Sequence, residues 1–370
     1  MRKEYYMGEG IHTWKSGKNQ SIEFVVTQDC NLRCSYCYQT HKNNKHRMSY
    51  KVAKDAIDYI LNNPQLFSSD SVILDFICGE PLLEIDLISK IVDYFKVRAY
   101  ELNNKWFDSF RITMTTNGIL YNNKKVQKFI KENRDTLAIC ITIDGTKEKH
   151  NMNRVYPDGS GSYDDVARNI PLWLKEFPHY GTKVTIGHDD LPYIKESIIH
   201  LYELGITMIP ANVVYEDVWE DGDAEIFEQQ LIELADYIID NNLWNKFNTT
   251  LFTDNLGSPN KPSQLLTNWC GSGKMISVDA DGNLFPCLRY MSYSLNNYEP
   301  CPIGNIYDGI DFDKVRPFLA VNTASQSSEE CIKCDVATGC AWCQGNNYDN
   351  SKNGTSYERA TFICEMHKHI

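Results

Sequence analysis

Three cysteines near the start of the chain have a spacing that suits iron–sulfur chemistry. Cys30, Cys34 and Cys37 form a C-x3-C-x2-C pattern just after an apolar, strand-like run at residues 22–27. Three thiolates in one tight loop can hold three irons of a four-iron cluster, which normally takes four cysteines. The fourth iron then lacks a protein ligand. A small molecule can chelate that iron and receive an electron from the cluster.

A structural zinc loop is the alternative for these cysteines, because His41 and His46 are near enough in sequence to complete it. Zinc loops usually show four ligands in paired form, such as C-x2-C followed by a second C-x2-C or by H-x3-5-H. Motifs further along the chain agree with the cluster. We therefore favour iron over zinc.

Composition narrows the classes of function. The chain has 370 residues and a net charge of −12, with its lysines and arginines dispersed. Nucleic-acid binding needs a basic face, so we expect no nucleic-acid partner. An apolar signal region and a long apolar run are both missing, which predicts a cytoplasmic protein with no membrane partner. Without a secretory signal, its 13 cysteines are better interpreted as metal ligands than as disulfides. An exposed cluster also implies an anaerobic or well-reduced cytoplasm.

Short apolar runs alternate with helical stretches and would position these cysteines. The predicted strands are residues 22–27, 72–77, 111–115, 138–143, 183–186 and 208–214. The predicted helices are residues 49–62, 87–102, 125–132, 163–177, 191–204 and 224–242. Six strand–helix units in series predict a parallel sheet with right-handed crossovers. The expected fold class is α/β, with a partial (β/α)6 TIM-like barrel.

The composition changes after residue 249, where Gly, Pro, Asn and Cys become dense and helical periodicity fades. We expect an N-terminal extension at residues 1–20, the partial barrel at residues 21–249, and a Cys-rich domain at residues 250–370. That last domain should have little regular structure and be held by metal rather than by a large apolar core.

Chemically distinctive motifs follow the second, third and fourth predicted strands. They are Cys78-Gly79-Glu80-Pro81, Thr115-Thr116-Asn117-Gly118 and Thr142-Ile143-Asp144-Gly145, with His150-Asn151-Met152-Asn153-Arg154 shortly after. Each motif alone is typical of a turn. Ligands in parallel α/β folds bind at the C-terminal ends of the strands, where the strand–helix loops gather. Three such motifs in register therefore predict one ligand site.

With these motifs the chain resembles the radical S-adenosylmethionine (SAM) superfamily, and within it the branch with a C-terminal SPASM domain. The resemblance runs from about residue 21 to residue 364 and implies that the three cysteines of the loop bind the cluster that holds SAM. It assigns cofactor contacts to Tyr36 at the adenine, Gly79 and Glu80 at the methionine amino group, Thr142 near the ribose or carboxylate, Arg154 at the carboxylate, and Val214 at the adenine. A guanidinium fork suits a carboxylate, and a carboxylate suits an ammonium group.

Two cysteines of this region depart from the ligand pattern. Cys78 stands where the Gly-Gly-Glu motif of the family has its first glycine. We interpret it as a tolerated small residue, against the alternative of an added thiol beside the cofactor. Cys140 lies inside the fourth predicted strand and is expected in the core.

A second cysteine array lies in the C-terminal segment and resembles the seven-cysteine SPASM pattern. The resemblance implies two auxiliary clusters, hence three 4Fe–4S clusters in all. It assigns Cys270, Cys287 and Cys343 to the first auxiliary cluster, and Cys331, Cys334, Cys340 and Cys364 to the second. Cys301 as a fourth ligand of the first cluster, an iron open to a substrate thiolate, and Cys301 as an unligated surface residue all stay open. A four-thiolate zinc site is the alternative for the two C-x2-C pairs.

The resemblance implies an enzyme that reductively cleaves SAM to a 5′-deoxyadenosyl radical, which abstracts hydrogen from an unactivated C–H bond. SPASM relatives mostly modify ribosomally made peptides. We therefore expect an oxidoreductase-type peptide maturase whose substrate is a ribosomal precursor peptide and which forms a thioether or other crosslink at Cys-containing repeats. A reductant such as flavodoxin or ferredoxin is an expected partner. About twenty residues precede the first strand, too few for a winged-helix leader-binding domain, so a separate leader-binding protein is another candidate partner.

Anaerobic sulfatase-type maturation, which forms formylglycine, is the alternative function, together with other side-chain oxidation. In those enzymes an aspartate follows the second SPASM cysteine and accepts the substrate's proton. Leu288 occupies that position here and has no ionisable group. Candidate catalytic residues are His188, Asp189 and Glu216, which follow the fifth and sixth predicted strands. An electron carrier without turnover is the remaining class, and the barrel motifs disfavour it.

Overall fold

The computed structural model describes residues 19–42, 45–77, 79–253, 256–268 and 270–369. The expected N-terminal extension, apart from Asn19 and Gln20, and the departure at Cys78 therefore lie outside the described residues.

Strands and helices alternate up to residue 249 and become short after it. The strands are β1 (Asn19–Phe24), β2 (Ser71–Phe76), β3 (Phe110–Thr116), β4 (Leu137–Ile141), β5 (Val184–Ile186), β6 (Met208–Ile209), β7 (Ala211–Val213), β8 (Asn248–Thr249), β9 (Ile276–Val278), β10 (Asn283–Phe285), β11 (Gly304–Asn305) and β12 (Gly309–Ile310). The α-helices are α1 (Tyr50–Leu61), α2 (Ile85–Glu101), α3 (Lys124–Asn133), α4 (Lys147–Asn153), α5 (Tyr163–Ala167), α6 (Ile170–Glu176), α7 (Ile194–Glu203), α8 (Asp223–Asp240), α9 (Pro262–Leu265), α10 (Phe312–Ala320), α11 (Thr323–Gln326), α12 (Glu329–Ile332), α13 (Gln344–Asn350) and α14 (Cys364–Lys368). Short 3-10 helices span Pro81–Glu84, Lys105–Phe107, His188–Tyr193 and Leu288–Tyr290.

An eight-stranded sheet in the order β12-β11-β10-β9-β1-β2-β3-β4 forms the frame. Strands β1 to β4 are parallel neighbours, as the alternating sequence pattern predicts. A parallel bridge between Thr142 and Lys183 continues the curve from the end of β4, and β5 pairs in parallel with β7. The fold is therefore a mixed α/β fold with a parallel, partially closed barrel.

Two predicted elements are interrupted in the structure, both at prolines. The predicted strand at residues 208–214 is split into β6 and β7 by Pro210, which has no N–H to donate to a ladder. The predicted helix at residues 163–177 is two helices, and Pro171 lies in the first turn of the second, where its missing N–H costs nothing. Local proline chemistry thus overrides the apolar periodicity.

The C-terminal segment contributes a strand to the barrel sheet, which the sequence pattern did not predict. Strand β9 pairs in parallel with β1, with Glu23 opposite Ser277. The Gln20 side chain donates a hydrogen bond to the Lys274 carbonyl at 2.6 Å and reinforces this junction. Strands β10, β11 and β12 then follow as antiparallel neighbours. The two halves of the chain therefore share one sheet.

Alternate residues of the parallel strands face opposite sides of the sheet. On β2, Val72, Leu74 and Phe76 are buried and join the apolar faces of α1 and α2 in one core. Ile73 and Asp75, on the other side of β2, are only partly buried. That side faces the interior of the partial barrel, called the lumen below, and carries the polar group of Asp75.

None of the helices in the described ranges combines the length and apolar character that a membrane span requires.

Candidate functional site

The loop with the first three cysteines follows β1 and is docked on the segment after α4. The Arg33 backbone N–H donates to the Val155 carbonyl at 2.7 Å, and the Ser35 N–H donates to the Asn153 carbonyl at 3.0 Å. Within the loop, the Cys37 N–H donates to the Cys34 carbonyl at 3.2 Å. These bonds fix the loop at the C-terminal edge of the parallel strands.

The structure brings the three thiols of this loop together. Cys34 acts electrostatically on Cys30, and Cys37 acts on Cys34. Burial raises the pKa of the Cys30 thiol to about 11, while Lys42 opposes that shift. Bound metal supplies the positive charge that favours the thiolate form. Among the described residues, no three His, Cys, Asp or Glu side chains converge on a single-ion site.

Gly79 brings the end of β2 against the cysteine loop. Its φ of +44° lies in the region that favours glycine, and a Cβ there would overlap the Asp29 carbonyl oxygen. The Glu80 N–H donates to that same carbonyl at 2.9 Å, and the Gly79 N–H donates to Gln39 Oε1 at 3.0 Å. The Gly-Glu pair and the cysteine loop are therefore one rigid unit.

The Glu80 carboxylate ties the ends of β2 and β3 together. It is 1% exposed and accepts hydrogen bonds from Thr116 Oγ1 at 2.6 Å, the Asn117 N–H at 2.8 Å and the Leu82 N–H at 3.0 Å. Burial raises the pKa of Glu80, while the bonds from Thr116 and Asn117 oppose that shift. A carboxylate has about four acceptor sites, so one remains for a ligand.

Tyr36, Asp144 and Arg154 form a charged group beside the cysteine loop. Arg154 Nη1 donates to the Tyr36 hydroxyl at 2.8 Å, and that hydroxyl donates to the Asp144 carboxylate. Burial by itself would raise the pKa of Asp144, but the positive charges of Arg154 and Lys149 outweigh it, and the pKa lies below its usual value. Asp144 is therefore ionised, and it balances the Arg154 charge.

Arg154 has a buried donor, its Nε, without a protein acceptor among the described residues. The side chain is buried, yet its Nε makes no hydrogen bond. A buried donor of a charged group is costly to leave unpaired, so the position calls for an anionic ligand. The carboxylate of an amino-acid moiety fits this donor. The residues present therefore fit SAM beside a cluster on the cysteine loop.

A buried polar network fixes the segment that carries Arg154. His150 Nδ1 accepts from the Asp144 N–H at 3.3 Å, and its Nε2 bonds Ser162 Oγ, which donates to the Arg154 carbonyl at 2.7 Å. Burial lowers the pKa of His150 to about 3, so the ring is neutral. On the other side of α4, Lys149 and Asp190 form a fully buried ion pair at 3.0 Å.

The two other predicted cofactor contacts, Thr142 and Val214, lie just past the ends of two strands. Thr142 is buried just past β4, and its N–H donates to the Thr116 carbonyl at 2.9 Å. Val214 is buried just past β7, and its N–H donates to the Ile186 carbonyl at 2.9 Å. Cys140 is buried within β4, as predicted, and burial raises the pKa of its thiol to about 12.

A cavity of about 250 Å³ lies between the cysteine loop and α13. Its lining includes Tyr36, Cys37, Tyr38, Val214, Glu216 and Arg289. The lining also includes the carboxyl group of Asp349 and the amide side chains of Asn296, Asn297, Asn346 and Asn350. Arg289 makes three contacts here: it lies 4.4 Å above the Tyr38 ring, pairs with Glu216 at 2.8 Å, and interacts with the thiol of Cys343.

The three candidate catalytic residues lie apart in two ion-pair systems. His188 Nδ1 lies 2.9 Å from both oxygens of the buried Asp223, and this bond raises the pKa of His188. Asp189 is exposed beside it. Glu216 pairs with Arg289 in the cavity wall. Only Glu216 therefore lines the cavity next to the cysteine loop.

The C-terminal cysteines fall into two groups. Cys270 and Cys343 both act on Cys287, whose pKa is raised mainly by burial and further by their charges. Cys331 and Cys334 both act on Cys340 and on Cys364. Arg359 Nη2 also lies 3.0 Å from the Cys340 sulfur.

Cys301 makes contacts of a different kind. Its thiol donates to the Glu299 carbonyl at 3.8 Å and interacts with the Tyr348 hydroxyl. Burial raises its pKa. Among the described residues, these contacts involve none of the other cysteines.

Sequence reasoning missed two carboxyl groups of the lumen. Glu23 on β1 and Asp75 on β2 lie side by side in the register of the parallel pair. A charged residue inside an otherwise apolar strand was the available signal, as in the run Val72-Ile73-Leu74-Asp75-Phe76. Lys183, which interacts electrostatically with Cys140, was missed in the same way.

Comparison with known sequences shows what this chain is similar to. Residues 24–204 match the sequence profile of the Radical SAM superfamily. Uncharacterized protein MJ0907 from Methanocaldococcus jannaschii is 34% identical over 189 residues, which are 51% of this chain and 60% of that relative. The match thus spans less than two thirds of that relative's length. A cysteine-type anaerobic sulfatase-maturating enzyme from Clostridium novyi is 25% identical over 363 residues, 93% of this chain and 91% of that enzyme.

Solved structures share the fold. Native anSMEcpe with bound AdoMet matches with a TM-score of 0.68 at 18% identity, over 95% of each chain. Streptococcus suis SuiB bound to precursor peptide SuiA matches with a TM-score of 0.54 at 14% identity, over 94% of this chain and 76% of SuiB. At such identities the likeness concerns the fold alone, and it confirms the predicted partial-barrel class. Residues 24–204 therefore form a radical SAM domain, and along most of its length the chain is similar to an anaerobic sulfatase-maturating enzyme.

Proposed function

We propose that this radical SAM enzyme modifies a ribosomally made peptide, by a thioether or other crosslink at its cysteines. The observation that carries the proposal is the cavity between the cysteine loop and α13, with amide side chains such as Asn346 and Asn350 in its lining. The Asn346 and Asn350 side-chain N–H groups bond within the protein, to Tyr215 and to Asn346 respectively. The Asn350 side-chain oxygen can accept a hydrogen bond from a peptide backbone of any sequence. The radical SAM domain and the relatives that act on peptides or sulfatases agree with it.

The cofactor roles proposed for the barrel follow the contacts at the site. Cys30, Cys34 and Cys37 would hold one 4Fe–4S cluster, and Arg154 Nε would receive the SAM carboxylate. Glu80 and Gly79 would receive the methionine amino group, Thr142 would lie near the ribose or carboxylate, and Tyr36 and Val214 would contact the adenine. When bound and reduced, SAM supplies a radical that removes a hydrogen atom from the substrate. The barrel residues orient it and exclude water.

Two auxiliary 4Fe–4S clusters are proposed for the C-terminal segment. Cys270, Cys287 and Cys343 would bind the first, and the group of Cys331, Cys334, Cys340 and Cys364 would bind the second. The contacts of Cys301 with Glu299 and Tyr348 favour leaving it out of the first cluster. An iron of that cluster would then be open to a substrate thiolate, whose pKa it would lower.

The partners follow from this assignment. The substrate is a precursor peptide, the class of molecule that SuiB binds in its complex with SuiA. A flavodoxin or ferredoxin would supply electrons, and a separate protein would present the leader. We place the reaction in the cytoplasm because the clusters need reducing conditions.

Anaerobic incubation with reductant, SAM and a Cys-containing precursor peptide tests the function. We expect 5′-deoxyadenosine and a product that is two mass units lighter per crosslink and resists alkylation at that cysteine. A peptide with Cys replaced by Ala should give no crosslink. Asn350→Ala should raise the KM for peptide without changing SAM cleavage, whereas Asn241→Ala, at the exposed end of α8, should change neither. Unchanged peptide with all precursors would reject the proposal.

Sulfatase-type maturation is the second candidate, because the Clostridium novyi enzyme is similar over 93% of the chain. Leu288, which follows Cys287, has no side-chain base. Formylglycine on a sulfatase-type peptide, instead of a crosslink, would favour this alternative.

A further inference from the structure

A buried hydroxyl group in the cavity between the cysteine loop and α13 has no protein partner. Ser294 is 4% exposed and lines this cavity, yet its Oγ makes no hydrogen bond with the described residues. Such a group is costly to bury unpaired, because it has lost its hydrogen bonds to water. The cavity, of about 250 Å³, is smaller than the pockets of about 300–1,000 Å³ that take drug-sized ligands. It therefore suits a side chain of a larger molecule.

The other polar atoms of the lining that lack a partner include three acceptors. Nδ2 of Asn297 and Nδ2 of Asn350 both donate within the protein, at 2.9 Å and 3.0 Å. The side-chain oxygens of these two residues accept no hydrogen bond from the part of the chain that the structure describes. Glu216 accepts from Arg289 through Oε1 at 2.8 Å, and its Oε2 has no donor among the same residues. A ligand that brings N–H donors would match these acceptors.

The lining also carries an excess of negative charge. Its charged side chains are Glu216, Asp349 and Arg289. Glu216 and Arg289 neutralise each other as an ion pair. Asp349 is 6% exposed and accepts the backbone N–H groups of Asn296 and Asn297 at 2.9–3.0 Å, but it belongs to no ion pair of the described residues. One buried negative charge thus lacks a counter-charge, and a cation in the cavity would supply it.

We propose that this cavity binds the side chain of a lysine or arginine of the precursor peptide, close in sequence to the cysteine that is modified. Its ammonium or guanidinium group donates charge-assisted hydrogen bonds to Glu216 and Ser294. The inference rests on the proposed function, because it names a residue that the peptide substrate must carry. Tyr36 and Cys37 line the same cavity. The bound residue therefore lies beside the cysteine loop.

The same cavity discriminates against other side chains. An acidic side chain would add a second charge without a counter-charge. An apolar side chain would cover the Glu216 and Ser294 oxygens without offering them a donor. A basic residue near the cysteine therefore distinguishes a substrate from other cysteine peptides.

Anaerobic binding of labelled peptides to the reconstituted holoenzyme, followed by fluorescence anisotropy, tests the cavity without turnover. The probes are N-acetylated cysteine peptides with a single lysine at successive positions on either side of the cysteine. Replacing lysine by norleucine in the tightest binder should weaken binding about 10-fold, and glutamate should weaken it further. Arginine should retain most of the affinity. Equal affinities for the lysine, norleucine and glutamate peptides would overturn the inference. Equally tight binding of a lysine-free peptide with a free N-terminus would also overturn it, and would assign the cavity to the terminal ammonium group.

Substitutions in the lining test whether these residues select lysine. Glu216→Gln should weaken binding of the lysine peptide about 10-fold and leave the norleucine peptide nearly unaffected, since the loss depends on the ammonium group. Ser294→Ala should also weaken the lysine peptide, with no loss of fold stability because its hydroxyl has no protein partner. Glu225→Gln, an exposed carboxyl in the first turn of α8, is the matched control. Equal weakening of both peptides by Glu216→Gln would show a structural role and reject the assignment.

Conversion of the same peptides separates this inference from the proposed function. Lysine replaced by norleucine should raise the KM about 10-fold with little change in kcat, because the contact is made in the bound substrate as well as in the transition state. Equal KM values would overturn the inference and leave the proposed function standing. If no cysteine peptide is converted, the proposed function fails, and the binding selectivity still decides the role of the cavity.

Discussion

Arg154 carries the positive charge of the group beside the cysteine loop. One of its donors holds Tyr36, and through it Asp144, while its Nε is buried with no acceptor among the described residues. Its backbone carbonyl accepts a hydrogen bond from Ser162 Oγ, which in turn bonds His150 Nε2. A fixed fork with an unused donor is well suited to an anionic group, because little conformational freedom is lost when the ligand arrives.

Arg154→Ala should weaken SAM binding to the reconstituted enzyme by about 1.5–3 kcal/mol, the range for a hydrogen bond to a charged group. Equilibrium binding would register this as about a 10–150-fold rise in Kd. Arg154→Lys should recover only part, since a point charge cannot replace the fork. Arg98→Ala, on the outer surface of α2, is the control. Wild-type affinity in Arg154→Ala would show that the carboxylate binds elsewhere.

His188 leads to a prediction about how the stability of the fold depends on pH. Its bond to the buried Asp223 raises the pKa of His188 above its usual value, so the pair stabilises the fold below the unfolded pKa of about 6.5. That stabilisation is lost as the pH rises through the folded pKa. His188→Gln should therefore cost more stability at pH 5.5 than at pH 8.5, by less than about 1 kcal/mol because the ring is partly exposed. Denaturant midpoints at both pH values provide the measurement, and an equal loss at each would contradict it.

Gly79 lies where the segment after β2 packs closely against the cysteine loop. A side chain there would need φ near +44° and would overlap the Asp29 carbonyl oxygen. Gly79→Ala should therefore destabilise the protein by at least about 3 kcal/mol and reduce cluster loading. Gly159 also has a positive φ, of +85°, but has open space around its missing Cβ. Gly159→Ala should cost only about 1–2 kcal/mol. Similar urea midpoints for the two variants would contradict the role assigned to the contact.

Element positions were predictable where local chemistry decides them. The helix predicted at residues 49–62 is α1, and Ser49 caps it by accepting from the Val52 N–H at 3.1 Å. The cysteine loop and the strand-end motifs also lie where their spacing suggested. The pairing of β9 with β1 was not predictable. Strand β9 has only three residues, and its local sequence does not indicate which strand it pairs with. The Glu23–Asp75 pair depends on register between strands, which a single sequence does not display.

At the scale of the whole molecule, the expected metal content is three four-iron clusters. Anaerobic reconstitution should give about twelve irons per chain, four for each cluster. Replacing Cys30, Cys34 and Cys37 together by Ala should remove about a third of the iron and all SAM cleavage, since the auxiliary cysteines are untouched. Iron and zinc analysis with an assay for 5′-deoxyadenosine provides the measurement. Iron near four per chain with stoichiometric zinc would reject the auxiliary clusters.

Strand β9, which pairs with β1, lies far from it in the sequence. The ribosome therefore makes β1 well before it makes β9. Gln20 and Lys274, bonded across that junction, are 254 positions apart. At 5–20 residues per second a ribosome needs about 13–50 s to cover that interval. The cysteine loop after β1 therefore leaves the ribosome well before its neighbouring strand exists. During that interval the edge of β1 that later pairs with β9 has no partner from the C-terminal segment.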